Sequence, residues 1–150
     1  MRIKILPPLV MLIFAGGMYT LAHLLPVGQF DFFGRKALAI GLLGLAALVM
    51  ILALFQFRKM KTTTNPIDLT KTSSLVTHGI FKYTRNPMYL AMLLILLAYG
   101  LKLSNAFNTL IAAGFVYYMN YFQIRFEEEA LEKKYGKVYS FYKKNTRRWF

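Results

Sequence analysis

Four stretches of this chain carry no aspartate, glutamate, lysine or arginine: residues 5–30, 37–57, 86–101 and 103–124. A helix of about 20 apolar residues matches the ~30 Å hydrocarbon core of a bilayer. No other feature constrains the fold as much. Hydrophobic residues make up 57% of the chain and charged residues 17%, against roughly 45–50% and ~25% in soluble domains. An ordinary soluble globular protein is excluded. The chain has no cysteine, which also excludes a disulfide scaffold, a thiolate metal site and a cysteine nucleophile. The length of 150 residues suits one domain, 1–150.

The net charge of +13 sits at the ends of the apolar runs. Residues 58–85 carry six Lys/Arg and residues 125–150 carry eight, while 27–36 carries two and Lys102 stands alone. Alternating rich and poor connections follow the positive-inside pattern. They predict an all-α integral membrane fold of about four transmembrane helices, N-in and C-in, with a C-terminal amphipathic cytoplasmic helix. No separate basic domain offers itself to nucleic acid. The first run, with Arg2 and Lys4 before it, also resembles a signal peptide. Its length, Pro7 and Pro8, and the lack of a convincing cleavage site before Pro26 favour a retained helix.

Along the chain, the pattern predicts helix one over 8–25, begun by Pro7 and Pro8 and ended by Pro26-Val27-Gly28. His23 is read as interfacial rather than as a ligand. Helix two, 37–57, has Gly41, Gly44, Ala46 and Ala47 available for close helix approach. Together they form an N-terminal pair within 1–57. Residues 62–85 form a basic segment, too long to be an idle connection. Asn86 and Pro87 suit the cap and first position of helix three, which runs to Leu101. Lys102 snorkels to the far interface. Ser104 and Asn105 turn the chain into helix four, 106–124, so 87–124 is an antiparallel hairpin. The tail, 125–148, continues as an amphipathic helix, with Ile124, Leu131, Tyr135, Val138 and Tyr142 on one face and Glu129, Lys133, Lys137 and Lys144 opposite. Gly136 weakens it locally.

Two groups of residues stand out chemically. In Glu127-Glu128-Glu129, a rotation of 100° per residue puts Glu128 inside the apolar stripe and Glu129 outside it. A carboxylate there is costly unless paired, and Arg125, three residues earlier, is the local candidate. The second group surrounds the start of helix three. Unpaired N–H groups and Arg85 make an anion site, and Tyr83 and Tyr89 offer aromatic faces to a cation or a purine. A headgroup anchor explains the same residues. The hairpin brings Arg85 and Glu128 to one cytoplasmic pocket, suited to a zwitterionic or cationic ligand bearing an aromatic base.

The stretch from His78 to Tyr89 resembles the G-x-(F/Y)-x-(Y/F)-x-R-(H/N)-P-x-Y signature of the isoprenylcysteine carboxyl methyltransferase-like, or phospholipid methyltransferase-like, membrane family. Glu127-Glu128-x-x-Leu131-x-x-x-Tyr135-Gly136-x-x-Tyr139 resembles its second signature. Thr63-Thr64-x-Pro66 is similar to a feature of bacterial members. The resemblance covers 62–150, the predicted catalytic core. It implies an integral membrane methyltransferase that uses S-adenosylmethionine, with its active site facing the cytoplasm and a lipophilic substrate entering from the bilayer. It implies Arg85 and Glu128 as catalytic residues. It assigns cofactor binding to His78, Gly79, Tyr83, Asn86, Pro87, Tyr89, Glu127, Tyr135 and Tyr139, and it implies no metal. Asn86 stands where the prenylcysteine enzymes have histidine, which weighs against a prenylcysteine acceptor. A carboxylate, a thiol and an amine all remain as acceptors. The rival readings are a nicotinamide-dependent reductase of the same fold and a non-catalytic lipid-binding scaffold. No charge lies near the middle of any run, which argues against a transporter.

Overall fold

The computed structural model describes residues 5–25, 27–60 and 74–150. Thr63-Thr64-x-Pro66 and most of the basic segment lie outside them. The described residues are helical, with one isolated bridge pairing Gln29 and Asn105. The elements are α1 (Pro7–Leu24), α2 (Arg35–Lys59), a 3₁₀ turn (Gly79–Lys82), α3 (Pro87–Leu103), α4 (Asn108–Tyr118), a π-helical turn (Met119–Ile124), α5 (Arg125–Tyr135) and α6 (Lys137–Asn145).

α1 and α2 are long and apolar enough to cross a membrane, at 18 and 25 residues. Only 17% of each span's most apolar window is buried within the chain, so these are not the core helices of a soluble bundle. Their outer faces expose Leu12, Ile13, Ile40, Ile51 and Phe55. α3 is apolar but shorter, at 17 residues. α4 has 11 residues and extends further only through the π-helical turn.

α3 is the central helix and packs against α1, α2 and α4. Its face carrying Tyr89, Met92 and Leu96 meets Val10 and Met18 of α1 and Ala112 and Phe115 of α4. Its Ala91 meets Ala46 and Val49 of α2. Ala46 thus serves the close approach expected of helix two. Gly41, Gly44 and Ala47 do not: they lie on the exposed face, with open space around both glycines.

One end of the bundle is closed by neutral groups and a single arginine. Asn105, buried, donates from Nδ2 to the carbonyls of Leu25 (3.1 Å) and Val27 (3.2 Å). Ala106 N–H donates to Gly28 and Phe30 N–H to Ser104. Gly28 has φ +76°, and a Cβ there would stand 2.7 Å from the Phe107 ring. Arg35, which starts α2, donates to Leu101 O (2.6 Å) and to Ser104 Oγ. Its charge complements the negative end of α3.

The tail departs from the single expected helix. Gly136 takes φ +54°, ψ −125°, a conformation other residues rarely adopt, and separates α5 from α6. The break gives α6 its own direction. Tyr139 and Tyr142 turn inward, while Val138, expected on the buried face, is 65% exposed.

Candidate functional site

The opposite end of the bundle gathers the start of α3, the α4–α5 rod and the chain's last residues. Glu128 is 4% exposed, as the rotation argument requires. Its partner is not Arg125. Arg125 bonds Glu129 instead, at 3.2 Å on the surface, one turn along the same helix. Glu128 points the other way and meets cations distant in sequence. Arg85 Nη2 donates to its Oε1 at 2.6 Å. Arg148 donates from Nε to Oε1 at 3.0 Å and from Nη2 to Oε2 at 2.7 Å. Lys143 Nζ lies 4.0 Å from Oε2 and 3.4 Å from Glu132.

Burial alone would raise the Glu128 pKa. The hydrogen bonds and charges of Arg148 and Arg85 outweigh it and hold the carboxyl below its ordinary value. The same bonding raises Arg148. Burial, with the charge of Glu128 adding to it, pushes Tyr139 well up; burial also raises Tyr142. Both phenols are neutral at physiological pH.

Arg85 also binds the tail as a strap. Its Nη1 donates to the carbonyls of Lys143 and Thr146, each at 2.7 Å, and its N–H to Arg147 O at 2.9 Å. Thr84 Oγ1 (3.0 Å) and Asn86 Nδ2 (3.1 Å) both donate to Arg148 O. Asn86 occupies the cap position of α3, but its side chain makes no cap bond; the strap has taken it. Thr84 Oγ1 instead accepts from Asn86 N–H at 3.1 Å. Trp149 Nε1 donates to Asn120 Oδ1 in the π-helical turn at 3.1 Å. Arg85 Nε is buried without a partner among the described residues.

Glu127 forms a second polar group beside the first. Its Oε1 accepts from Tyr89 OH and from Gln123 Nε2, both at 2.5 Å. Tyr139 packs edge-on to Tyr142, whose hydroxyl donates to Phe81 O at 2.7 Å. Tyr135 borders this cluster.

Arg85, Asn86, Pro87, Tyr89, Glu127, Glu128, Tyr135 and Tyr139 therefore gather at one end. Gly79 shapes the approach: its φ is +59°, and the Gln56 side chain fills the place of a Cβ. His78 is exposed beside Thr77, and Tyr83 is 73% exposed. Neither joins the Arg85–Glu128 cluster. The sequence reading did not find Arg148, Lys143, Gln123 or the Trp149–Asn120 contact, and gave Thr84, within the group at the start of helix three, no part of its own. A signal existed for one of them. A buried carboxylate in so basic a chain calls for cations, and local spacing offered only Arg125.

The family model for phospholipid methyltransferases matches residues 34–138. The chain belongs to the phospholipid methyltransferase family. It is thus similar to enzymes that act on lipid-related substrates, and the match takes in both the α3 start and the Glu127–Glu128 pair. An uncharacterized protein of Haemophilus influenzae is 48% identical over 62 residues, which is 41% of this chain and 98% of that protein. No solved structure matches.

Proposed function

We propose that this phospholipid methyltransferase family member moves a methyl group from S-adenosylmethionine to a lipophilic, membrane-associated acceptor. In this reading all four apolar helices cross the bilayer, the site faces the cytoplasm, and the acceptor enters from the lipid. The observation that carries it is the buried Glu128, held between Arg85 and Arg148 beside the aromatic rings of Tyr139 and Tyr142. Burying an ion pair is seldom the cheapest way to stabilise a fold, so its presence points to use.

The residues fit the donor. Arg85 Nε, buried with no partner among the described residues, is an N–H suited to an anion such as a carboxylate. Neutral phenol rings suit a sulfonium face-on. S-adenosylmethionine supplies a methyl group on that sulfonium; the acceptor's lone pair forms the new bond to carbon, and the broken carbon–sulfur pair stays on sulfur as a thioether. The protein's task is to position both partners and exclude water. Glu128 suits the part of a fixed anion better than that of a base. Both its oxygens accept from arginines, and its pKa is depressed. Glu127, bonded to Tyr89 and Gln123, lines the same end as a second carboxyl for a cationic group.

Calorimetric titration of the detergent-purified protein with S-adenosylmethionine and S-adenosylhomocysteine tests the reading, with NADPH as control. Saturable binding of both, lost in Glu128→Gln, is the expected result. Binding of NADPH alone would make the protein a reductase. Binding of none of them by folded protein would leave a lipid-binding scaffold.

A further inference from the structure

α6 has two unlike faces. Tyr139 and Tyr142 turn inward and are buried. At 100° per residue, Phe141 lies at the centre of the opposite face, with Lys137 and Lys144 on one flank and Val138 and Asn145 on the other. Phe141 is 73% exposed and Val138 65%. Both lysines are exposed. No acidic residue occurs within α6, and neither Lys137 nor Lys144 forms an ion pair with any described residue. Tyr83, also 73% exposed, and Lys82 add a ring and a cation from the neighbouring 3₁₀ turn.

The depth of α6 is set by what it packs on. Tyr139 and Tyr142 share a cluster with Ala53 and Phe57, in the last two turns of α2. That helix ends in the exposed cations Arg58 and Lys59. α6 therefore lies where a membrane-spanning α2 passes from hydrocarbon into headgroups. A ring flanked by lysines at that level matches the make-up of an interfacial helix, whose apolar side chains enter the acyl boundary while its cations meet lipid phosphates.

We propose that the outer face of α6 docks on the anionic phospholipid surface of the chain's own bilayer, with Phe141 and Val138 inserted and Lys137 and Lys144 paired to headgroup phosphates. The inference needs the spans in a membrane; it does not need methyl transfer. It also links the lipid surface to the site, because α6 supplies the Lys143 carbonyl that Arg85 holds.

The absence of cysteine makes the test direct. Phe141→Cys, at an exposed position, takes a single environment-sensitive dye, with Val138→Cys as a second site. The labelled protein is placed in nanodiscs of phosphatidylglycerol or of phosphatidylcholine, each with nitroxide-labelled lipid. Blue-shifted emission with several-fold stronger lipid quenching in the anionic discs is expected, with the difference abolished by Lys137→Gln/Lys144→Gln. A dye open to acrylamide and unquenched in both discs overturns the proposal, as does equal quenching in both. A shift in lipid-free detergent that grows with protein concentration would also overturn it, and would assign the face to a second copy. A chain that fails to enter discs at all refutes the membrane reading rather than the chemistry of the site.

Discussion

The two ends of the bundle solve the same problem with different chemistry. Each must close four helices and satisfy the backbone groups left open at their termini. The end around residues 25–35 and 101–108 does so with Asn105, backbone pairs and Arg35, and its one carboxylate, Asp31, is fully exposed. The end around residues 84–89 and 120–149 buries Glu128 between two arginines and straps the chain over it. The first end shows that closure needs no buried carboxylate. The second keeps one despite its desolvation cost, and the proposed function rests on that contrast.

Variants sharpen or break this contrast. Glu128→Gln leaves two guanidinium groups facing a neutral amide, so it is expected to cost about 3–5 kcal/mol of stability and to abolish methyl-donor binding; a small shift in thermal midpoint with binding intact would erase the distinction between the ends. Asn105→Ala removes three bonds, to Leu25 O, to Val27 O and from Phe107 N–H, and is expected to cost about 1–3 kcal/mol. Calorimetry on that variant should find donor binding unchanged, since the loss is purely architectural. Acid should act mainly on the Glu128 end, because Asp31 at the other end is fully exposed and its pairing with Arg35 is screened by water. The folded pKa of Glu128 lies below its ordinary 4.5, so its stabilisation is complete above that value and drains as pH falls through the folded pKa. Trp149, the one tryptophan, bonds Asn120 through the strap and reports its release; Glu128→Gln should lack the transition. Smallest of all, Asp31→Asn removes a fully exposed partner of Arg35, and thermal melts should not move measurably.

Period and charge made much of this legible in advance. The apolar runs became helices with ends close to those expected, and the 100° rule turned Glu128 inward. Arg85 and Glu128 met because a hairpin joins its own ends. What failed did so where local spacing was asked to speak for distant contacts. Arg125 was the nearest cation to Glu128 in sequence, but α5 points them apart. Asn86 had the composition of a cap, yet the strap offered its amide another acceptor. Arg148 was not singled out, because nothing near it in sequence marks the carboxylate it meets. Val138 fitted the stripe until the unusual backbone at Gly136 changed the helix axis.

The π-helical turn between α4 and α5 also sets how this rod tolerates change. Such turns hold one residue more than an α-helical register would, and each residue of an α-helix carries about 100° of rotation. Upstream, Ala112 and Phe115 face the bundle; downstream, Glu127 and Glu128 face the site. Deleting one residue at 121 or 122 would restore a regular helix and leave both acids close to their present directions, whereas inserting one there would swing them by about 100°. The turn is a one-residue reserve, and this rod bears a loss of length there better than a gain.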